Sequence, residues 1–195
     1  MEKLTRDDLL TLEAYATERS AFRTDVLAHK KNRRLVIGEH ALLNFEDRLT
    51  IQYQIQEMLR IERIFEASGI DEELGAYNPL IPDGSNLKAT FMIQYTDVEA
   101  RRTALAELRG VEDKVWLQVA NQAPIFAIAD EDLDRSNEEK TSAVHFLRFE
   151  LGAAGARALK SGATLSAGIA HSAYNVRIER VEESIRDALA ADLDG

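Results

Sequence analysis

His171 and Tyr174 follow a run of small residues, Gly162-Ala163-Thr164-Leu165-Ser166-Ala167-Gly168-Ile169-Ala170. A histidine moves protons near neutral pH, and a tyrosine hydroxyl donates to a developing anion. The pair is therefore the candidate catalytic group, with His171 as acid/base and Tyr174 assisting. A turn after the small-residue strand can aim both into a cleft, and the small side chains leave room for something bulky to pack close. Arg148 and Glu150 share one face of a neighbouring strand candidate, where an arginine can hold a carboxylate or phosphate by two parallel hydrogen bonds. Arg60 and Glu57, three residues apart on a helix candidate, are a further ligand-binding pair. A bland reading stands beside each: His171 and Tyr174 cap backbone groups, Arg148 pairs with Glu150 or the Glu57 region, and Arg60 lies on a solvated face.

Other chemistry is missing. The chain has no cysteine, hence no disulfide, thiol nucleophile or cysteine-held cluster. His29, His40, His145 and His171 form no HExxH pair, and no Glu-x-x-His repeat suggests a diiron bundle. Asp25 and His29 share helical spacing, which is common by chance. GxSxG, GxGxxG and GxxxxGK[ST] are absent. No metal and no cofactor is expected.

The elements that must position these residues read as α+β. Leu12, Tyr15, Arg19, Phe22, Val26 and His29 recur at helical spacing, with Thr5 and Asp8 as a capping box before them. Arg34 to Ile37 reads as a short β run. A second long helix follows Asn44 as cap, with Ile51, Ile55, Met58, Leu59 and Phe65 as its apolar face and Arg48, Gln52, Gln56, Arg60 and Arg63 as a polar stripe. Residues 69–86, with three Gly and two Pro, predict an ordered loop or subdomain junction. Strands are expected over 87–95, 115–120, 125–129, 143–151 and 163–170, the last strand. Thr96 and Glu99 box a helix that ends at Gly110. Short helices follow over 153–160 and 179–193. The expectation is one domain over 1–195: a helical portion, 1–75, packed on a mostly antiparallel sheet of about five or six strands within 85–195.

Twenty-four Lys and Arg against 34 Asp and Glu give a net charge of −10, which argues against a nucleic-acid partner. The basic run at Lys30, Lys31, Arg33 and Arg34 reads as a helix end. The start MEKLTRDDLL lacks the apolar core of a secretory signal, and no apolar run approaches the roughly 20 residues of a membrane span. The expected location is cytoplasmic, with no membrane contact and a homodimer as the default assembly.

Three stretches, FEDRLTIQYQIQEMLRIERIF (45–65), ELGAYNPLIP (73–82) and AGIAHSAYN (167–175), resemble the bacterial domain of unknown function family numbered 3501. The resemblance covers nearly the whole chain. It implies an association with rubrerythrin-like and iron–sulfur oxidoreductase proteins through gene neighbourhoods, and hence a redox or oxidative-stress link. It supplies no chemistry. Two readings follow. One is a non-catalytic accessory or binding module that docks such a redox metalloprotein, with the acidic connection 130–140 and the basic run as docking charges. The other is a small enzyme acting on an anionic metabolite, with Arg148 or Arg60 binding the anion and His171 as acid/base.

Overall fold

A computed structural model of the chain describes residues 1–137 and 139–194. These residues form six α-helices and nine strands, an α+β architecture. The helical part opens with α1 (Leu12–Lys30), capped by Thr11, whose hydroxyl accepts from the Ala14 amide at 3.2 Å. The Thr5–Asp8 box closes only a single 3-10 turn, because residues 9–11 separate it from the periodic run. On α1 the expected stripe faces inward: Tyr15 and Val26 are buried, Arg19 reaches Glu57, and His29 reaches Asp47.

β1 (Arg34–Ile37) and β2 (Ala41–Phe45) form a hairpin, so the strand runs through Asn44 and the next cap is Asp47. Asp47 accepts from the Thr50 amide at 2.8 Å, and Thr50 returns the bond to the Asp47 amide at 2.9 Å. That reciprocal box starts α2 (Arg48–Glu62). α3 (Ala67–Tyr77) occupies the first half of the segment expected as a loop, 69–86. Its glycines are tolerated because Leu74 is buried with Leu4, Ile51, Ile55, Leu59 and Ile81 in a small core of the helical layer.

The polar stripe of α2 binds the N-terminal segment. Arg48 pairs with Asp8 at 2.5 Å, Gln52 donates to the Asp8 carbonyl, and Gln56 both accepts from the Leu10 amide at 2.6 Å and donates to its carbonyl. Buried backbone without a strand partner needs such side-chain bonds.

The remaining elements are β3 (Asn86–Ile93), α4 (Val98–Glu107), β4 (Val115–Val119), β5 (Ile125–Phe126), β6 (Ile128–Ala129), β7 (Val144–Glu150), α5 (Gly152–Lys160), β8 (Leu165–His171), β9 (Tyr174–Ile178) and α6 (Glu183–Ala190). The cap of α4 is Asp97, one residue past Thr96. The strands make one sheet in the order β1-β2-β3-β7-β6 and a second in the order β5-β4-β8-β9, antiparallel at every pair. β9 lies beyond the expected last strand. It pairs with β8 across a two-residue turn.

The sheets meet on two sides. The chain passes from the second sheet to the first at Ala127, between β5 and β6. On the other side the Tyr174 hydroxyl donates to the Ile37 carbonyl at 2.8 Å and accepts from the His40 amide at 3.0 Å. Gly38, in the left-handed region at φ 71°, leaves the space for that hydroxyl; a Cβ there would lie 2.5 Å from it. Between the sheets lies the main core, with Leu87, Phe91, Phe149, Leu117, Leu165 and Ile169 buried together and Leu159 and Leu189 of α5 and α6 beside them. β3 alternates strictly, so Lys88, Thr90 and Met92 point outward, as do Val144, Phe146 and Arg148 on β7. No helix among the described residues is long and apolar enough to cross a membrane.

Candidate functional site

The outward face of β3 and β7 and the helices α2 and α3 enclose a cavity of about 630 Å³. Met58, Ala76, Tyr77, Pro79, Leu80 and Phe146 give it apolar walls. Its polar end holds two cations side by side: Lys88 and Arg148 are directly opposed across the β3–β7 ladder. Like charges in that position repel unless anions sit with them. Arg148 donates from Nε and Nη2 to the two carboxylate oxygens of Glu131, both at 2.7 Å, and from Nη1 to Glu150. The Glu131 bonds hold the guanidinium pKa above its ordinary value and pull the Glu131 carboxyl down. The Lys88 ammonium donates to the Pro79 and Ile81 carbonyls at 2.5 and 3.1 Å, and burial pushes its pKa down. Glu46 accepts from Thr50 and Thr90, each at 2.6 Å, which ties α2 to the sheet face. Glu73 lies at the rim, its pKa pushed up by burial and by Glu62 and Glu72. A second cavity of about 190 Å³ shares Glu46, Tyr77, Leu80 and Phe146 and extends toward Lys30.

Of the residues singled out in the sequence, Arg148 and Glu150 are brought together and Arg148 lines the cavity. His171 and Tyr174 lie on β8 and β9 of the other sheet and do not line it. His171 Nε2 donates to the Arg109 carbonyl at 3.1 Å, and its Nδ1 accepts from the Ala173 amide at 3.2 Å. Tyr174 bridges Ile37 and His40 as described. Glu57 and Arg60 form a pair on α2. Glu57 is further bound by Tyr15 at 2.7 Å and by both Nε and Nη2 of Arg19, which joins α1 to α2. The small residues of β8 make room for Trp116.

Two buried charge networks escape the sequence reading. Arg33, within the basic run, is 2% exposed and pairs with Asp192 and, at 3.3 Å, with Asp47. Among the described residues, His145, Asp130 and Glu112 cluster at the 130–140 connection with ligand atoms within 4.8 Å of one another, close enough to hold a cation. His145 Nε2 lies 2.9 Å from the Thr141 hydroxyl and 3.0 Å from the Ser142 carbonyl, and Nδ1 lies 2.5 Å from an Asp130 carboxylate oxygen. Arg135 Nη1 is 3.3 Å from Asp130, and His145 Nε2 is 3.8 Å from Glu112. Ser136 and Thr141 donate their hydroxyls to Glu112. Each side chain of the cluster has a hydrogen-bond partner within the chain.

The sequence reading did not assign Lys88, Glu46, Phe146 or Glu131 to a site, and all four line the cavity. For Lys88 and Phe146 the signal is the alternation of β3 and β7, which puts them with Arg148 on the face opposite the core; Glu46 and Glu131 lie outside those strands.

The crystal structure of a novel protein of unknown function from Burkholderia pseudomallei K96243 is similar to this chain, with 56% identity, a TM-score of 0.95, and coverage of 99% of this chain and 100% of that one. A comparison with curated proteins finds no match. The family described as "Protein of unknown function (DUF3501)" matches residues 3–193. With nearly the whole length matched, the chain belongs to that family.

Proposed function

We propose that the chain is a non-catalytic binding module whose α2–α3 groove takes a small organic molecule with a largely apolar body. The observation that supports this reading is the cavity itself: apolar walls from two helices and a sheet, with Lys88 and Arg148 converging at one end. The enzyme reading draws less support, because both His171 nitrogens serve backbone groups away from Arg148. Docking by the acidic connection also draws less, since Asp130, Glu131 and Asp132 face His145, Arg148 and Arg135 of the same chain. An accessory role beside a redox metalloprotein rests on the family resemblance, and its test is a tagged pull-down at low and moderate salt.

The groove is tested with a panel of small amphiphiles, read by thermal shift and calorimetry on the wild type and on Ala76→Trp. Ala76 is an exposed position on α3 that lines the cavity, so the indole fills the groove without entering the core. Saturable binding that Ala76→Trp abolishes, with the melting temperature of the free protein unchanged, is the expected result. Binding indifferent to Ala76→Trp rules the groove out.

A further inference from the structure

We infer that the groove's ligand carries a single carboxylate, which replaces the Glu131 carboxylate on the Arg148 guanidinium. This rests on the reading of the groove as a ligand site and names the class of ligand it takes.

Arg148 already holds a carboxylate in the two-bond geometry by which arginine recognises that group, from Nε and Nη2. The carboxylate belongs to Glu131, an exposed residue in the connection that leaves β6. Its neighbours on both sides are anchored. Asp130 accepts from the Phe146 amide at 2.9 Å and contacts His145 at 2.5 Å. Arg135 lies 4.5 Å over the Phe146 ring, and Ser136 donates to Glu112. Glu131 can therefore swing away by side-chain rotation while the connection stays in place. Its departure leaves Arg148 with Glu150 alone and leaves the cross-strand Lys88–Arg148 repulsion less compensated. An incoming anion restores the balance. Lys88 adds to the pull, since two of its three ammonium hydrogens go to the Pro79 and Ile81 carbonyls and a third remains.

The charge of the rest of the lining selects a monoanion. Glu46, Glu73 and Asp132 also line the cavity, and a phosphate dianion would meet their repulsion at short range. The apolar walls of Met58, Tyr77, Leu80 and Phe146 take the remainder of the molecule. The class is a monocarboxylic acid with an aliphatic or aromatic body.

The probes are octanoate, octanol and octyl phosphate, titrated calorimetrically into the wild type, Glu131→Gln and Arg148→Gln. Octanoate is expected to bind most tightly to the wild type. Glu131→Gln removes the competing anion and should tighten octanoate by roughly five- to tenfold while leaving octanol unchanged. Arg148→Gln should bring octanoate down to the level of octanol; a urea titration checks that this variant is folded. Octanol binding as tightly as octanoate, octyl phosphate binding best, or Glu131→Gln leaving octanoate unchanged would each overturn the carboxylate inference while leaving the groove as a ligand site. Failure of every probe to bind overturns both together.

Discussion

Trp116 lies across Gly168, its direct partner on the adjacent strand, so that the indole takes the space a side chain would fill. A Cβ at Gly168 would meet Cζ2 of the indole and, at 2.5 Å, the Val176 carbonyl oxygen. The backbone contact cannot yield cheaply. Arg177 closes the stack, its guanidinium 5.1 Å over the indole. Gly168→Ala should lose about 2–3 kcal/mol of stability, as overpacking does in a tight core. Urea denaturation measures the loss, and a shifted tryptophan emission reports the displaced ring.

The Tyr174 hydroxyl hydrogen-bonds β9 to the β1–β2 turn. Tyr174→Phe keeps the ring and leaves the Ile37 carbonyl and the His40 amide without that partner. The expected loss is about 1–2 kcal/mol. Amide exchange at His40 should quicken more than exchange at the centre of β3, which separates a local opening from global destabilisation.

Glu57 sits under Arg19 and accepts from Tyr15 and Arg60, and its carboxyl pKa is pulled down to about 2 by Arg19 first, against the opposing effect of burial. A carboxyl held low in the folded chain stabilises it above the ordinary carboxyl range, and that stabilisation is lost as the pH falls toward about 2. Glu57→Gln should cost about 1–2 kcal/mol at pH 7. The gap between wild type and variant should close in acid between pH 4.5 and about 2, as followed by urea titrations across that range. A gap that persists at the acid end would show that packing, and not charge, holds α1 to α2.

Arg33 is buried with two carboxylates that respond in opposite directions. Burial raises the Asp192 pKa; at Asp47 burial also pushes upward, but Arg33 and the Thr50 amide bring it below its ordinary value. Arg33→Met leaves Asp192 without its cation and Asp47 with His29 and the Thr50 amide, and should cost about 3–5 kcal/mol at neutral pH, the cost of breaking a buried pair from one side. The defect should ease in acid as Asp192 protonates. Thermal melts at pH 7 and in mild acid check both the size and the easing.

Much of the local structure was legible because it depends on neighbours in the chain. The stripe from Leu12 to His29, the alternation of 87–93 and 144–150, and the strand Val115–Val119 follow from spacing alone, whereas the run 125–129, expected as one strand, is split at Ala127 between the two sheets. The failures fall where tertiary burial overrides a local signal. α3 carries two glycines and reads as a loop until Leu74 finds the Ile51–Ile55–Leu59 face. The strand β2 extends through Asn44 because β3 pairs with it residue for residue. The expected sheet of about five or six strands is a five-stranded sheet, and four further strands form a second one beside it.

The sequence by itself determined the family, the α+β class and the parity that turns Lys88, Phe146 and Arg148 away from the core. Family follows from residue identities, and parity follows from the two-residue period of a strand, which no distant contact alters. The tertiary structure alone decided that α2 and α3 stand over that outward face, that Glu131 sits on Arg148, and that His171 and Tyr174 hold backbone groups on the other sheet. Those relations join residues far apart in the chain. They are set by which surfaces bury each other, a property of the packed whole that short-range spacing does not encode.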